Sequence, residues 1–173
     1  MTDAIKKRIM FSPDYDFYFT TYALLVSLDA LGCKKGRYFK DYRKLAFLVE
    51  FATEDKLVSI LERPDGKDLN RIDKEYLFKS YTNGLSRRSE ILKILFRLEK
   101  SGFVILRKGD INSLVDVSLS ELIPKSFFDK NFFHSEYSNV RRTTAQIKQL
   151  TRLTLDTTIQ KIYEAHGVKT WDF

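Results

Sequence analysis

Apolar residues recur at helical spacing along most of this chain. Between Tyr15 and Leu31, Phe19, Tyr22, Leu25 and Leu28 fall at three-residue steps, which places them on one helix face. Pro13 and Asp14 supply a start signal and Gly32 a stop. Phe39, Tyr42, Leu45, Leu48, Val49 and Ala52 line one side of a second amphipathic helix over 39–52. Thr53 is placed to cap a short third helix carrying Leu57, Val58, Ile60 and Leu61. Arg63 to Asn70 contains Pro-Asp-Gly and reads as a loop.

The second half changes period. Asp73 to Tyr81 predicts a helix that buries Leu77, Phe78 and Tyr81, and Asn83-Gly84 predicts a turn. Ser86 then serves as N-cap of a helix reaching Lys100, with Ile91, Leu92, Leu95, Phe96 and Leu98 as its stripe and Gly102 as its stop. Phe103 to Leu106 is β-prone, Gly109 and Asp110 mark a turn, and Val115, Val117 and Leu119 alternate with polar residues as in a half-buried strand. After Pro124 the pattern is helical again. The fold expected is mainly α with a small β-hairpin. It divides into a charged arm (1–14), an N-terminal helical region (15–70), a winged-helix region (71–123) and a C-terminal helical region (124–173).

Leu98-Glu-Lys-Ser-Gly-Phe-Val104 resembles the end of the recognition helix and the first wing strand of winged-helix proteins. That resemblance covers Asp73 to Leu119 and implies a winged helix-turn-helix, preceded by an N-terminal helical pair and followed by C-terminal helices. A wider likeness rests on Thr21-Tyr-Ala-Leu-Leu-Val-Ser-Leu-Asp-Ala-Leu-Gly32 followed by Phe39-Lys-Asp-Tyr-Arg-Lys-Leu-Ala-Phe-Leu-Val-Glu-Phe51. This layout resembles the small middle component of bacterial three-component ABC-type ATPase systems, including the small subunit of Lamassu-type anti-phage defence. The resemblance implies an accessory subunit that bridges an SMC-like or Rad50-like ATPase and an effector protein. DNA sensing would belong to the assembly and the destructive chemistry to another chain.

Charge sharpens the picture. Seven basic residues (Arg87, Arg88, Lys93, Arg97, Lys100, Arg107, Lys108) face two acids (Glu90, Glu99) between Arg87 and Lys108, so this stretch holds +5 of the chain's formal +7. Charge concentrated on a helix and wing is the footprint expected for a phosphate backbone. The candidate DNA contacts are therefore Arg87 and Arg88 at the helix N-terminus, Lys93 and Arg97 along it, and Lys108 at the wing. Lys34, Lys35 and Arg37 belong to a second basic group, with Lys40, Arg43 and Lys44, opposed by Asp41 alone. That group extends a DNA path, meets an acidic partner, or is simply a solvated surface. Phe127, Phe128, Phe132 and Phe133 form an aromatic cluster for packing within the protein or against a partner. Ile159 and Ile162 lie on a tail helix suited to docking or dimerisation. The competing reading is a free-standing dimeric transcription regulator that reads a palindromic operator.

Catalytic motifs are sparse. The chain has two histidines, His134 and His166, in no ligand spacing, and one cysteine, Cys33. It has no glycine-rich phosphate loop. Pro13-Asp14 with Glu54-Asp55-Lys56 superficially matches the acid-and-lysine signature of metal-dependent nucleases, but its flanks read as helix rather than as the strands that gather such carboxylates. No enzymatic activity, metal or cofactor is expected. The N-terminus carries no apolar signal region, and Tyr22 to Leu31 is too short and too polar to span a bilayer. The expected location is cytoplasmic, away from membranes.

Overall fold

The computed structural model describes residues 16–64, 69–111 and 114–171. The charged arm, Pro13-Asp14 and the Asp65-Gly66 part of the predicted loop lie outside those residues. Helices dominate: α1 (Asp16–Ala30), α2 (Arg43–Thr53), α3 (Asp55–Leu61), α4 (Arg71–Lys100), α5 (His134–Gln146) and α6 (Leu155–Ile162). An antiparallel pair, β1 (Val104–Lys108) and β2 (Val115–Leu119), follows α4. Among the described residues, no helix is long and apolar enough to cross a membrane.

Two stops fall where the glycines predict them. Gly32 and Gly102 both have positive φ, at 70° and 81°. Each ends its helix with the same pair of bonds, Gly32 N to Asp29 O with Cys33 N to Leu28 O, and Gly102 N to Glu99 O with Phe103 N to Leu98 O. The left-handed residue turns these amides back onto the last carbonyls, which would otherwise lack a partner.

The turn at Asn83-Gly84 is absent: α4 is one uninterrupted helix of 30 residues. Its N-cap is Asn70, whose side chain accepts from Asp73 N at 2.8 Å. Ser86 is not a cap and donates instead to the Asn83 carbonyl. The two turn-type residues serve a helix crossing. Gly84 is buried against the Phe47 ring of α2, so close that an added Cβ would overlap ring carbons. Asn83 donates from its side-chain amide to Glu50 Oε1 of α2 at 2.8 Å. A glycine inside a helix costs about 1 kcal/mol of propensity against alanine, and here it permits the backbone of α4 to lie on α2.

The second predicted helix also starts late. Phe39 to Tyr42 does not join α2 but runs beside β2, with Phe39 N to Val117 O, Val117 N to Phe39 O and Tyr42 N to Val115 O between 2.7 and 2.9 Å. Leu119 N bonds Cys33 O on the same side. Asp41, in the left-handed region at φ 65°, breaks any helix before Arg43. Segment 33–42, β2 and β1 therefore lie side by side in that order. β2 is the middle member and is buried on both faces, Asp116 and Ser118 included, rather than half-buried. Asp116 accepts from Asp41 N, and Ser118 donates to Arg37 O. The short helix after Thr53 is present as α3, but Thr53 bonds back to Val49 O and Glu54 takes the cap position.

The C-terminal region is not a tail. Ile147, Leu150, Leu155, Ile159, Ile162, Tyr163 and Val168 are all buried in the main core. Thr154 caps α6 as its type and position suggest, accepting from Thr157 N at 3.2 Å. Tyr163 is fully buried, shares a 2.9 Å hydrogen bond with Ser80 of α4, and meets the rings of Phe47 and Tyr81 at 5.8 and 5.2 Å. The turn from α5 to α6 is fastened from below by Lys44, 1% exposed, whose ammonium donates to the carbonyls of Leu150 and Leu153, both at 2.7 Å. It also sits over the Phe39 ring at 4.6 Å.

Burial lowers the Lys44 pKa from 10.5 to about 8. The unfolded lysine therefore holds its proton more tightly than the folded one between those values, so this group adds stability as pH rises from about 8 to 10.5. Burial raises the Cys33 pKa from 9.0 to about 12, which acts in the opposite sense above pH 9. The Lys44 effect is read as a difference. The stability of the wild type minus that of Lys44→Met should rise by about 3 kcal/mol across the window and stay flat below it. Urea titrations at closely spaced pH values measure it, and a difference that falls with rising pH would refute the assignment.

Candidate macromolecule-docking surfaces

The predicted DNA contacts separate into two sets. Arg87 and Arg88 lie in the middle of α4, not at a helix N-terminus, and both turn toward the protein. Arg87 reaches Glu50 of α2 at 3.7 Å. Arg88 buries its Nε and Nη2, and this desolvation, reinforced by the nearby Arg43 charge, lowers its pKa. Glu50, desolvated between α2 and α4, has its own pKa raised. Arg87 and Glu50 thus pair between α4 and α2, while Arg88 is desolvated.

Lys93, Arg97 and Lys108 are exposed, with Lys100 beside them. The buried stripe of this half of α4 is Ile91, Ile94, Leu95 and Leu98. Ser89, Lys93, Phe96 and Lys100, at steps of four, three and four, lie on the opposite face. Phe96 was expected in the core and is instead 52% exposed. The apolar residues Phe103, Ile105, Ile111 and Leu122 are exposed just beyond the helix. Arg97 lies over the ring of Phe17, at 5.1 Å. Arg107 stacks on Tyr38 at 3.8 Å and reaches Asp116 at 3.4 Å. The free edge of β1 is partly covered, because Glu99 accepts from Leu106 N at 3.0 Å.

The second basic group does not form one patch. Lys44 is buried, Arg43 binds Asp41 through a forked pair of bonds, Lys40 pairs with Asp110, and Lys34 pairs with Asp29 at 2.9 Å. Lys35 and Arg37 remain exposed. Lys34 and Lys35 border a groove of about 730 Å³ that also takes in Lys125, Phe128, Lys130 and Arg141. Sequence reasoning missed the last two cations and Lys125, because the groove is closed by elements distant in the chain. A local signal did exist, since Tyr137, Arg141 and Thr144 follow one helix face at i, i+4 and i+7.

The expected partner contacts are largely internal. Phe133 is buried and stacks on Tyr22 at 5.2 Å, while Phe127 and Phe132 pack around the same cluster between α1 and α5. Phe128 is half-buried and lines the groove. Ile159 and Ile162 are 4% and 3% exposed. Core burial accounts for Phe133, Ile159 and Ile162.

The nuclease-like acids are also committed elsewhere. Glu54 accepts from the Tyr76 hydroxyl and Asp55 binds Arg142, which spans to Glu62 as well. His166 is buried with Nδ1 2.8 Å from the Ile162 carbonyl. Among the described residues, no group of three or more His, Cys, Asp or Glu is arranged to hold a metal ion. No protein-family model matches the chain, and neither a curated protein nor a solved structure does.

Proposed function

We propose that this protein is a non-catalytic accessory subunit that docks on other macromolecules through the outer face of α4 and the adjoining hairpin. The supporting observation is the stripe Lys93, Phe96 and Lys100, continued by exposed Phe103 and Ile105 and flanked by Arg97 and Lys108. Aromatic residues set among cations are the composition of an interface core with a charged rim. An acidic protein face is the complementary partner. In line with the resemblance described above, the partner is an SMC-like or Rad50-like ATPase in a DNA-sensing defence complex, with an effector on a further surface.

The element order supports a winged-helix-type module. Helix, strand-like segment 33–42, helices and two strands follow one another, with β2 in the middle. In this arrangement α4 takes the recognition-helix place, and the helices before it are α2 and α3 rather than residues 73–81.

Co-expression with the products of the neighbouring genes tests the assignment. A long coiled-coil ATPase among them should co-elute with this chain. Separate elution, or a neighbourhood without such an ATPase, would overturn it.

The solvent-facing Lys93, Arg97, Lys100 and Lys108 also favour a second reading, a DNA-binding regulator. In that case a 20-base-pair duplex should bind with a salt slope that falls by about 2.7 in the triple variant Lys93→Ala, Arg97→Ala, Lys108→Ala. Fluorescence anisotropy from low to moderate salt gives the slope, and an unchanged slope would remove duplex DNA from this face.

A further inference from the structure

The groove between α1 and α5 has a composition that the docking face does not share. Its cations come from three separate parts of the chain: Lys34 and Lys35 after α1, Lys125 and Lys130 around the 3-10 turn Lys125–Phe127, and Arg141 on α5. Two acids line it, Asp29 and Glu121. Asp29 is already occupied, accepting from the Tyr137 hydroxyl at 2.5 Å and from Lys34 at 2.9 Å. Lys130 leans over the Tyr137 ring at 5.8 Å. Lys125 and Arg141 are exposed, and no ion pair to an acid is found for either among the described residues. Phe128 forms part of the wall.

Like charges converging on a concave surface repel one another unless an anion joins them. The volume exceeds what a lone inorganic phosphate would fill and lies in the range of organic ligand sites, roughly 300–1,000 Å³. An acidic peptide adding a strand would need free backbone partners. The nearest amides of β2 are taken, Leu119 N by Cys33 O and Ser120 N by Phe103 O. What the groove offers instead is side-chain cations and an aromatic ring, the pairing that holds a phosphate backbone and stacks a base.

We propose that this groove binds a short stretch of single-stranded nucleic acid, with Lys35, Lys125 and Arg141 on phosphates and Phe128 against a base. The site is built from different elements than the α4 face and does not depend on the function assigned to that face.

The test uses the full chain and a fluorescent ten-nucleotide thymidine oligomer, with poly-glutamate of similar charge as competitor. Lys125→Ala with Arg141→Ala should weaken oligomer binding at least tenfold and lower the salt slope by about 1.4. Lys74→Ala with Lys79→Ala, exposed on the first half of α4 and outside both surfaces, should leave it unchanged. Circular dichroism melts check that each double variant remains folded. Phe128→Leu, which keeps an apolar side chain in the wall, should weaken binding without changing the slope. Binding that survives the Lys125/Arg141 change, equal loss from the α4 pair, or equally effective competition by poly-glutamate would each overturn the proposal.

Discussion

Ending the chain after Gln146 should abolish cooperative folding rather than release a detachable docking helix. The deletion removes Ile147, Leu150, Leu155, Ile159, Ile162, Tyr163 and Val168, every one buried in the main core. Burying a side chain of this size contributes about 1.5–3 kcal/mol, so the apolar contribution lost, about 10–20 kcal/mol, is comparable to the whole 5–15 kcal/mol by which a domain is typically stable. Some of it is offset, because fewer residues need ordering. What remains is worse than a smaller core. Phe47 and Tyr81 lose the ring that packs against both, and Ser80 loses its buried hydroxyl partner. Lys44 keeps a buried amine but loses both carbonyl acceptors, and an uncompensated buried polar group is costly. The truncated chain should show no sigmoidal thermal transition and should bind a hydrophobic dye. A sharp transition near that of the full chain would mean that 147–171 is an independent appendage.

Gly84→Ala should destabilise the protein by about 1–3 kcal/mol, the usual cost of forcing extra atoms into a packed core. Two effects oppose each other here. Alanine is better than glycine by about 1 kcal/mol in a helix interior, so propensity alone predicts a gain. The new Cβ, however, would overlap the Phe47 ring. Phe47 is 1% exposed and in contact with Tyr81 and Tyr163, so it has little room to retreat. Packing should win. Combining Gly84→Ala with Phe47→Leu should cost less than the sum of the two single changes, because the removed ring makes the space that alanine needs. Chemical denaturation of the four proteins measures the coupling. A more stable Gly84→Ala would show that α2 and α4 are farther apart than described.

The same glycine explains where the sequence was legible. Gly32 and Gly102 stand at the ends of apolar stripes, and there a glycine means a left-handed stop. The hairpin, with its period change and Gly109, was legible for the same local reason. Asn83-Gly84 carries the same composition but lies where α2 crosses α4, and only the Phe47 ring distinguishes a close approach from a turn. Phe39 and Tyr42 fit the helical stripe by spacing, yet their backbone is claimed by β2, a partner some seventy-five positions away. Charge was the least legible property. Arg87 and Arg88 are as basic as Lys93 and Arg97 in the sequence, but Glu50 and the α2 interface draw the first pair inward. Ile159 and Ile162 likewise gave a correct apolar stripe with the wrong destination, because periodicity marks a face and not what covers it.

The proposed docking role of the outer face of α4 is tested most directly by the affinity of the proposed ATPase partner for two charge-reversed variants. Lys93→Glu with Lys100→Glu should weaken the complex at least tenfold in a calorimetric titration. Lys74→Glu with Lys79→Glu, equal in charge but in the other half of the same helix, should leave it unchanged. Equal weakening by both pairs, or none by the first, would contradict the account.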